Sequence, residues 1–401
     1  MRILLLTHRL PYPPNKGDKI RSFNVLEHLA RLHEVILACP VDDPGDLAHV
    51  PELEKRCAAV IAVPIRSGRA LAGLKALATG TSITVRHFHS RELQSRIDAL
   101  VDSRDVDAVL GFSSPMAEYV FRSRHAGGKF RRALRLMDLI DVDSFKWRQY
   151  AERTRPPLRW AYDYEAARLG EYEQRISREF DHVFLVSAQE REYMPAGSRL
   201  DNLQALSNGV DLEYFAPRPA SAGRAPSLVF TGVMDYWPNV QGVLWFADEV
   251  LPRIHAVKPE ARFIIVGSKP TDEVRALARR PGIDVTGFVD DVRKYVAEAT
   301  VCVVPLKVAR GVQNKVLEAM AMGKAVVCTP QSHEGIRAPQ GSAVLVAHDA
   351  AEFAARVLEL LDAPERAAAI GAAARRCMEQ DYSWEANLRP LDRLLAAGVA
   401  S

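Results

Sequence analysis

Val301-Cys302-Val303-Val304-Pro305, then Leu306-Lys307-Val308-Ala309-Arg310-Gly311, then Val312-Gln313-Asn314-Lys315-Val316-Leu317-Glu318-Ala319-Met320-Ala321-Met322-Gly323 is the stretch whose reading decides the fold. Four consecutive apolar, mostly β-branched residues ending at a proline read as a strand buried on both faces. A glycine-bearing loop follows, then apolar residues at helical spacing, and Gly323 ends the helix. A glycine loop feeding a helix N-terminus offers free backbone N–H groups and the positive end of the helix dipole, which suits a phosphate. Lys315 adds a point charge in the first turn. Glu318, three residues on, shares its face and can accept from two hydroxyls, as of a ribose. An ordinary surface Lys–Glu pair has the same spacing.

The same strand–loop–helix unit recurs outward in both directions. Strands are expected at Arg2–Leu6, Val35–Cys39, Val60–Val63, Ala108–Gly111, Leu134–Met137 and Val183–Val186. After a turn-rich linker (Pro217, Pro219, Gly223, Pro226) they resume at Leu228–Thr231, Arg262–Val266, Asp284–Thr286, Val301–Val304 and Ala325–Cys328. Apolar strands alternating with amphipathic helices mean parallel sheets covered on both faces. The expected α/β architecture is two Rossmann-like doubly wound domains facing a central cleft, 1–215 and 216–380, with a C-terminal helix at 381–401 packing back towards the first. Ligands of such sheets bind at the carboxyl ends of the strands.

The chain has 401 residues, 48% hydrophobic and 26% charged, an ordinary globular composition that excludes disorder and coiled coil as the main class. Lys+Arg 53 against Asp+Glu 50 does not suggest a nucleic-acid binder. Five scattered cysteines with no C-x-x-C pair argue against a zinc site or a disulfide framework; Cys39, Cys302 and Cys328 read as small core residues. The polar residues after Leu6 do not continue a signal peptide, and with unpaired thiols the expected location is the cytoplasm.

Lys315-x-Leu317-Glu318-Ala319-Met320-Ala321-x-Gly323-Lys324-Ala325-Val326-Val327 with Glu334-Gly335-Ile336 resembles the donor-site signature of the family 4 glycosyltransferases, group 1 enzymes of GT-B fold. Five further stretches resemble that family in the same order: Pro13-Pro14-Asn15-Lys16-Gly17-Asp18-Lys19-Ile20-Arg21, Val186-Ser187-Ala188-x-Glu190, Ser207-Asn208-Gly209-Val210-Asp211-x-x-Tyr214-Phe215-x-Pro217, Phe230-Thr231-Gly232 with Ile265-Val266-Gly267, and Gly287-Phe288-Val289-x-Asp291-Val292. The first of these and Met137-Asp138-x-x-Asp141-Val142-Asp143-Ser144 are most similar to sugar transferases of PEP-CTERM/exosortase systems, found with exopolysaccharide genes.

The resemblance implies a retaining transferase that takes its sugar from a nucleotide-diphosphate sugar and hands it to a saccharide or lipid-linked saccharide, with no metal and no further cofactor. It implies donor contacts from Gly17, Arg21, Gly232, Asn239, Gly267, Gly311, Val312, Gln313, Asn314 and Val316. Phe288 and Val289 would flank the base and Glu318 would hold the ribose. Asp18, Asp138, Arg310 and Lys315 are the residues expected nearest the chemistry. Two departures stand out. Arg310 replaces the first glutamate of the family's E-x7-E motif, and an arginine only donates. Asn239 stands where a lysine is expected, so another cation must neutralise the leaving diphosphate; Lys315, Arg310, Lys16 and Arg21 are available.

Asp141-Val142-Asp143 is a D-x-D, a three-residue pattern that recurs at Asp105-Val106-Asp107, and Asp143 or Ser144 is expected instead to cap the next helix. His8 reads as structural. Basic stretches at Arg122–Arg135 and around Arg66, Arg69, Lys75, Arg86, Arg91 and Arg96, beside Leu71, Leu74 and Leu77, would suit an anionic inner-membrane surface or plain solvent. The rival functions are a catalytically decayed nucleotide-sugar scaffold, which the two departures keep open, and a nucleotide-sugar epimerase. A nicotinamide enzyme is disfavoured, because no G-x-G-x-x-G follows Leu6 or Val266.

Overall fold

β1 (Arg2–Thr7), β2 (Glu34–Val41), β3 (Ala59–Pro64), β4 (Ala108–Phe112), β5 (Leu134–Ile140), β6 (His182–Leu185) and β7 (Leu203–Ala205) form one parallel sheet in the order β3-β2-β1-β4-β5-β6-β7. The computed structural model describes residues 1–65, 68–219, 225–309 and 311–399. Leu4 in β1 registers with Ile36 on one side and Val109 on the other. All three are buried, as continuous apolar strands require when helices cover both faces.

β8 (Ser227–Thr231), β9 (Arg262–Val266), β10 (Ile283–Gly287), β11 (Val301–Val304), β12 (Val326–Cys328) and β13 (Leu345–Val346) form a second parallel sheet, ordered β10-β9-β8-β11-β12-β13. In each sheet the chain order reverses once, between β1 and β4 and between β8 and β11. A reversal makes the crevice at the strand ends where ligands of doubly wound sheets bind.

The chain divides into two compact units, Met1–Ser207 together with the chain from Leu388, and Asn208–Asn387. The division follows Ser207, not Phe215, because Val210 bridges Ser383 and donates its N–H to the Tyr382 carbonyl at 2.8 Å. Within the first unit, Asp392 of the last helix meets His28 Nε2 at 2.7 Å. All five cysteines are buried and free, and burial pushes the Cys39, Cys302 and Cys328 thiols up to about 12. Of the linker residues, Gly223 lies outside the described residues.

Candidate functional site

The loops after β8, β9, β10 and β11 follow the carboxyl ends of four adjacent strands of the second unit. Gly232, after β8, donates its N–H to the Val266 carbonyl at 3.0 Å, and Gly267 after β9 lies so close that a Cβ there would fall 1.6 Å from the Gly232 oxygen. A Cβ on Gly232 would in turn meet Asn239 Nδ2 at 2.7 Å and Lys315 Nζ at 3.4 Å. These glycines are required by close approach of the backbone to its neighbours.

Asn239 sits in the first turn of the Trp237–Trp245 helix. Its Nδ2 donates to the Val233 carbonyl at 2.8 Å, which fixes the amide, and its Oδ1 accepts from Lys315 Nζ at 2.7 Å. Lys315, in the first turn of the Asn314–Ala321 helix, also sits 4.8 Å from the centroid of the Phe230 ring. Burial lowers its ammonium to about 8, with Glu318 opposing the shift. Burial raises the Glu318 carboxyl to about 7, opposed by Lys315. The Glu318 carboxylate has no hydrogen bond or ion pair among the described residues. A half-buried carboxylate with no hydrogen bond or ion pair among the described residues, one turn from a half-buried ammonium, carries a desolvation cost that its neighbours do not fully offset.

Gly311 takes a left-handed φ of +59°, and Gly335 supports its loop: a Cβ on Gly335 would fall 2.4 Å from the Gly311 oxygen and 3.0 Å from Val312 N. Gly311, Val312 and Val316 are buried; Gln313 and Asn314 are half-buried. Asn314 Oδ1 accepts from Asn208 Nδ2 at 2.9 Å, so the Asn208-Gly209 segment is tied to the loop. Phe288, 74% exposed, and half-buried Val289 follow the end of β10. Arg310 lies outside the described residues.

In the first unit the expected site residues part company. Gly17 is exposed and opens the Gly17–Ala30 helix. Asp18 accepts from His8 Nε2 at 3.1 Å and Arg9 Nη1 at 2.5 Å. Burial alone would raise its carboxyl, but His8 and Arg9 outweigh burial and hold it well below the usual carboxylate range. Arg21 and Asp138, expected to face donor and reacting centre, instead face each other. Nε meets Oδ2 at 2.7 Å and Nη2 meets Oδ1 at 3.1 Å, with Nη2 also donating to the Leu206 carbonyl at 2.7 Å. Both side chains are almost fully buried, which moves the Asp138 carboxyl upward. Ile140, held by Asp138 Oδ1 through its N–H at 3.2 Å, has φ +70°, an uncommon place for a β-branched residue.

Sequence reasoning missed two buried glutamates that serve backbone N–H groups, Glu165 and Glu173, and gave no role to a third, Glu190, which it quoted only within a motif. Glu165 accepts from Ser82 Oγ and the N–H groups of Ile83 and Thr84, Glu190 from Val142 N–H, and Glu173 from the N–H and hydroxyl of Ser144. Glu173 replaces the expected capping by Asp143 or Ser144 on the Asp143–Glu152 helix, and Asp143 pairs instead with Lys146 at 2.7 Å. Each of these glutamates shares a helix with polar neighbours and looks like surface in the sequence. Among the described residues no group of three or more His, Cys, Asp or Glu is placed to hold a metal, and no helix is long and apolar enough to cross a membrane.

Residues 225–363 match the family model described as "Glycosyl transferases group 1". Over 236 residues the chain is 29% identical to a GDP-mannose-dependent monoacylated alpha-(1-6)-phosphatidylinositol monomannoside mannosyltransferase of Corynebacterium glutamicum, covering 53% of this chain and 61% of that protein. The whole chain superposes on the sucrose-phosphate synthase of Thermosynechococcus elongatus with a TM-score of 0.73 at 18% identity, covering 100% of this chain and 99% of that one. Anabaena Alr3699/HepE in complex with UDP-glucose gives 0.70 at 15% identity, covering 99% of this chain and 100% of that one. The chain therefore has the GT-B fold, with the glycosyl transferases group 1 match lying within its second unit.

Proposed function

We propose that the protein is a retaining glycosyltransferase that moves a sugar from a nucleotide-diphosphate sugar to a saccharide or lipid-linked saccharide in exopolysaccharide assembly, in the setting of a PEP-CTERM/exosortase system. The observation that carries the donor part is the Lys315 ammonium beside the unpartnered Glu318 carboxylate, one turn apart where the sheet order reverses. The similarity to a GDP-mannose-dependent transferase and to a protein crystallised with UDP-glucose supports a nucleotide sugar as the donor class.

In this reading Glu318 accepts from the ribose hydroxyls. The first-turn N–H groups and Lys315 hold the diphosphate and neutralise charge as its bond to the sugar breaks. The acceptor hydroxyl attacks from the face the diphosphate leaves, and its proton passes to the departing phosphate oxygen. Catalysis is then mostly positioning and electrostatics. The second reading, a decayed nucleotide-sugar scaffold, draws on Asn239 standing in place of a lysine.

Calorimetric titration with UDP-, GDP-, ADP- and CMP-sugars tests both. Glu318→Ala should weaken the binding of the responding sugar nucleotide by at least ~1 kcal/mol, since a hydrogen bond to a charged group contributes ~1.5–3. Binding needs Glu318 ionised and Lys315 protonated. Affinity should therefore fall below about 7 and above about 8, and Lys315→Arg should remove the alkaline limb. Unchanged affinity in Glu318→Ala removes Glu318 from the site. Binding without turnover across an acceptor panel selects the scaffold.

A further inference from the structure

We propose that the first unit carries a docking surface for an anionic lipid bilayer, formed by the Arg69–Thr79 helix and the tip of the hairpin joining the Asp143–Glu152 and Leu158–Glu179 helices. Leu71, Leu74 and Leu77 recur every third residue along one stripe of the first helix, while Ala72 and Ala76 on the other side are buried. Leu158 and Trp160 open the second helix of the hairpin. These five side chains are 47–67% exposed, far from the ordinary fate of a leucine or tryptophan.

The chain separates the two segments by some eighty residues, and the fold brings them together. Tyr164 Oη donates to the Ala76 carbonyl at 3.0 Å and the Thr81 carbonyl at 3.1 Å. Trp160 lies four residues before Tyr164 on the same helical face, so its exposed indole stands one turn from that contact.

Charge selects the occupant. Between Glu54 and Glu92 the chain has seven Lys or Arg and no acid; from Lys146 to Trp160 it has five cations and one acid, Glu152. Lys75, Arg153 and Arg155 are exposed and have no ion pair among the described residues. Arg159 lies 3.6 Å from Asp163, an exposed pair. Arg66 and the Arg69 side chain lie outside the described residues. A second copy meeting this surface through a two-fold axis would set cation against cation. An anionic bilayer satisfies both halves of the pattern. Leucines enter the acyl boundary, the indole sits at the headgroup level, and the cations meet lipid phosphates. The surface would lie on the membrane without spanning it.

The test is flotation of the full chain with phosphatidylcholine vesicles, with and without an equal share of phosphatidylglycerol; it needs neither donor nor acceptor, so it stands apart from the transferase reading. Partition into the anionic vesicles should be clear at low salt and lost at high salt. Lys75→Ser/Arg153→Ser/Arg155→Ser should lower the partition coefficient on the order of 100-fold, three cations at ~1 kcal/mol each. Leu74→Glu/Trp160→Glu should abolish it. Unchanged thermal unfolding shows that the variants keep their fold; if it shifts, the wild-type salt series decides alone. No partition, equal partition into neutral vesicles, or self-association that Leu74→Glu removes would each overturn the proposal.

Discussion

Replacing Asp138 by Ala separates a structural from a catalytic role for the Arg21–Asp138 pair. Two hydrogen-bonded contacts of 2.7 and 3.1 Å hold the guanidinium to the carboxylate in a site water barely reaches. Removing one partner leaves a buried charge, a loss of ~3–5 kcal/mol. The Leu206 carbonyl, which accepts from Nη2 at 2.7 Å, is neutral and cannot balance the charge. In a unit of roughly 220 residues each kcal/mol moves the midpoint by ~2–4 °C, so the shift should be ~6–20 °C. Arg21→Met/Asp138→Leu removes both charges and should recover most of the loss, because an apolar pair of similar volume often matches a buried ion pair. Ile140 limits the recovery, since its left-handed conformation leans on Asp138 Oδ1 and such strain is worth ~1–3 kcal/mol. Scanning calorimetry of the full chain reads this in whichever transition a sugar nucleotide does not move. An Asp138→Ala protein that melts like the wild type but has lost turnover would refute the structural assignment and return Asp138 to the substrate.

Two other expectations follow from named contacts. The folded protein holds the Glu173 proton up to about 8, against 4.5 for the free side chain, so the stability it contributes is full below 4.5 and is lost as pH rises through about 8. Glu173→Gln should flatten that fall by at least ~1 kcal/mol in denaturant midpoints taken across the range; an unchanged pH profile would place the titration elsewhere. Gly335→Ala drives a methyl to 2.4 Å from the Gly311 oxygen and must displace the 311–314 loop, so sugar-nucleotide affinity should drop on the order of tenfold. A normal affinity would show that the loop does not depend on that contact.

Much of the fold was legible because its signal is long and redundant. Runs such as Ile3–Leu6 and Val301–Val304 are apolar at every position and mostly β-branched or aliphatic, which leaves little but a strand buried on both faces. β7 and β13 escaped because three and two residues carry no period. In the second unit the candidate site has a motif behind it: Gly232, Asn239, Lys315 and Glu318 were named from sequence, and the loops after β8 and β11 bring the first three together. The first unit was not, because a cation and a carboxylate near a glycine loop read alike whether they face a ligand or each other. Only tertiary distance shows that Arg21 reaches across 117 positions to Asp138. Glu165 and Glu173 hid, and Glu190 was quoted in a motif without a role, for a related reason: burial is a property of the neighbours, which the local pattern does not contain.

Asn239 is the departure from the resembled glycosyltransferase pattern with the plainest physical consequence. Read alone, it subtracts a positive charge from the place where a diphosphate would leave. In the structure its Oδ1 accepts Lys315 Nζ at 2.7 Å, so an ammonium occupies the space beside residue 239, delivered from the helix after β11. Restoring lysine with Asn239→Lys would therefore put two ammonium groups within a few ångströms. At 4 Å and an effective dielectric of ~20 their repulsion is ~4 kcal/mol. Burial has already brought Lys315 down to about 8, so the added charge should leave one of the two neutral at pH 7. The variant should bind a sugar nucleotide no more tightly than the wild type and unfold at a lower temperature. A tighter, more active Asn239→Lys protein would mean that the space for a cation at position 239 is vacant and that Lys315 serves another purpose.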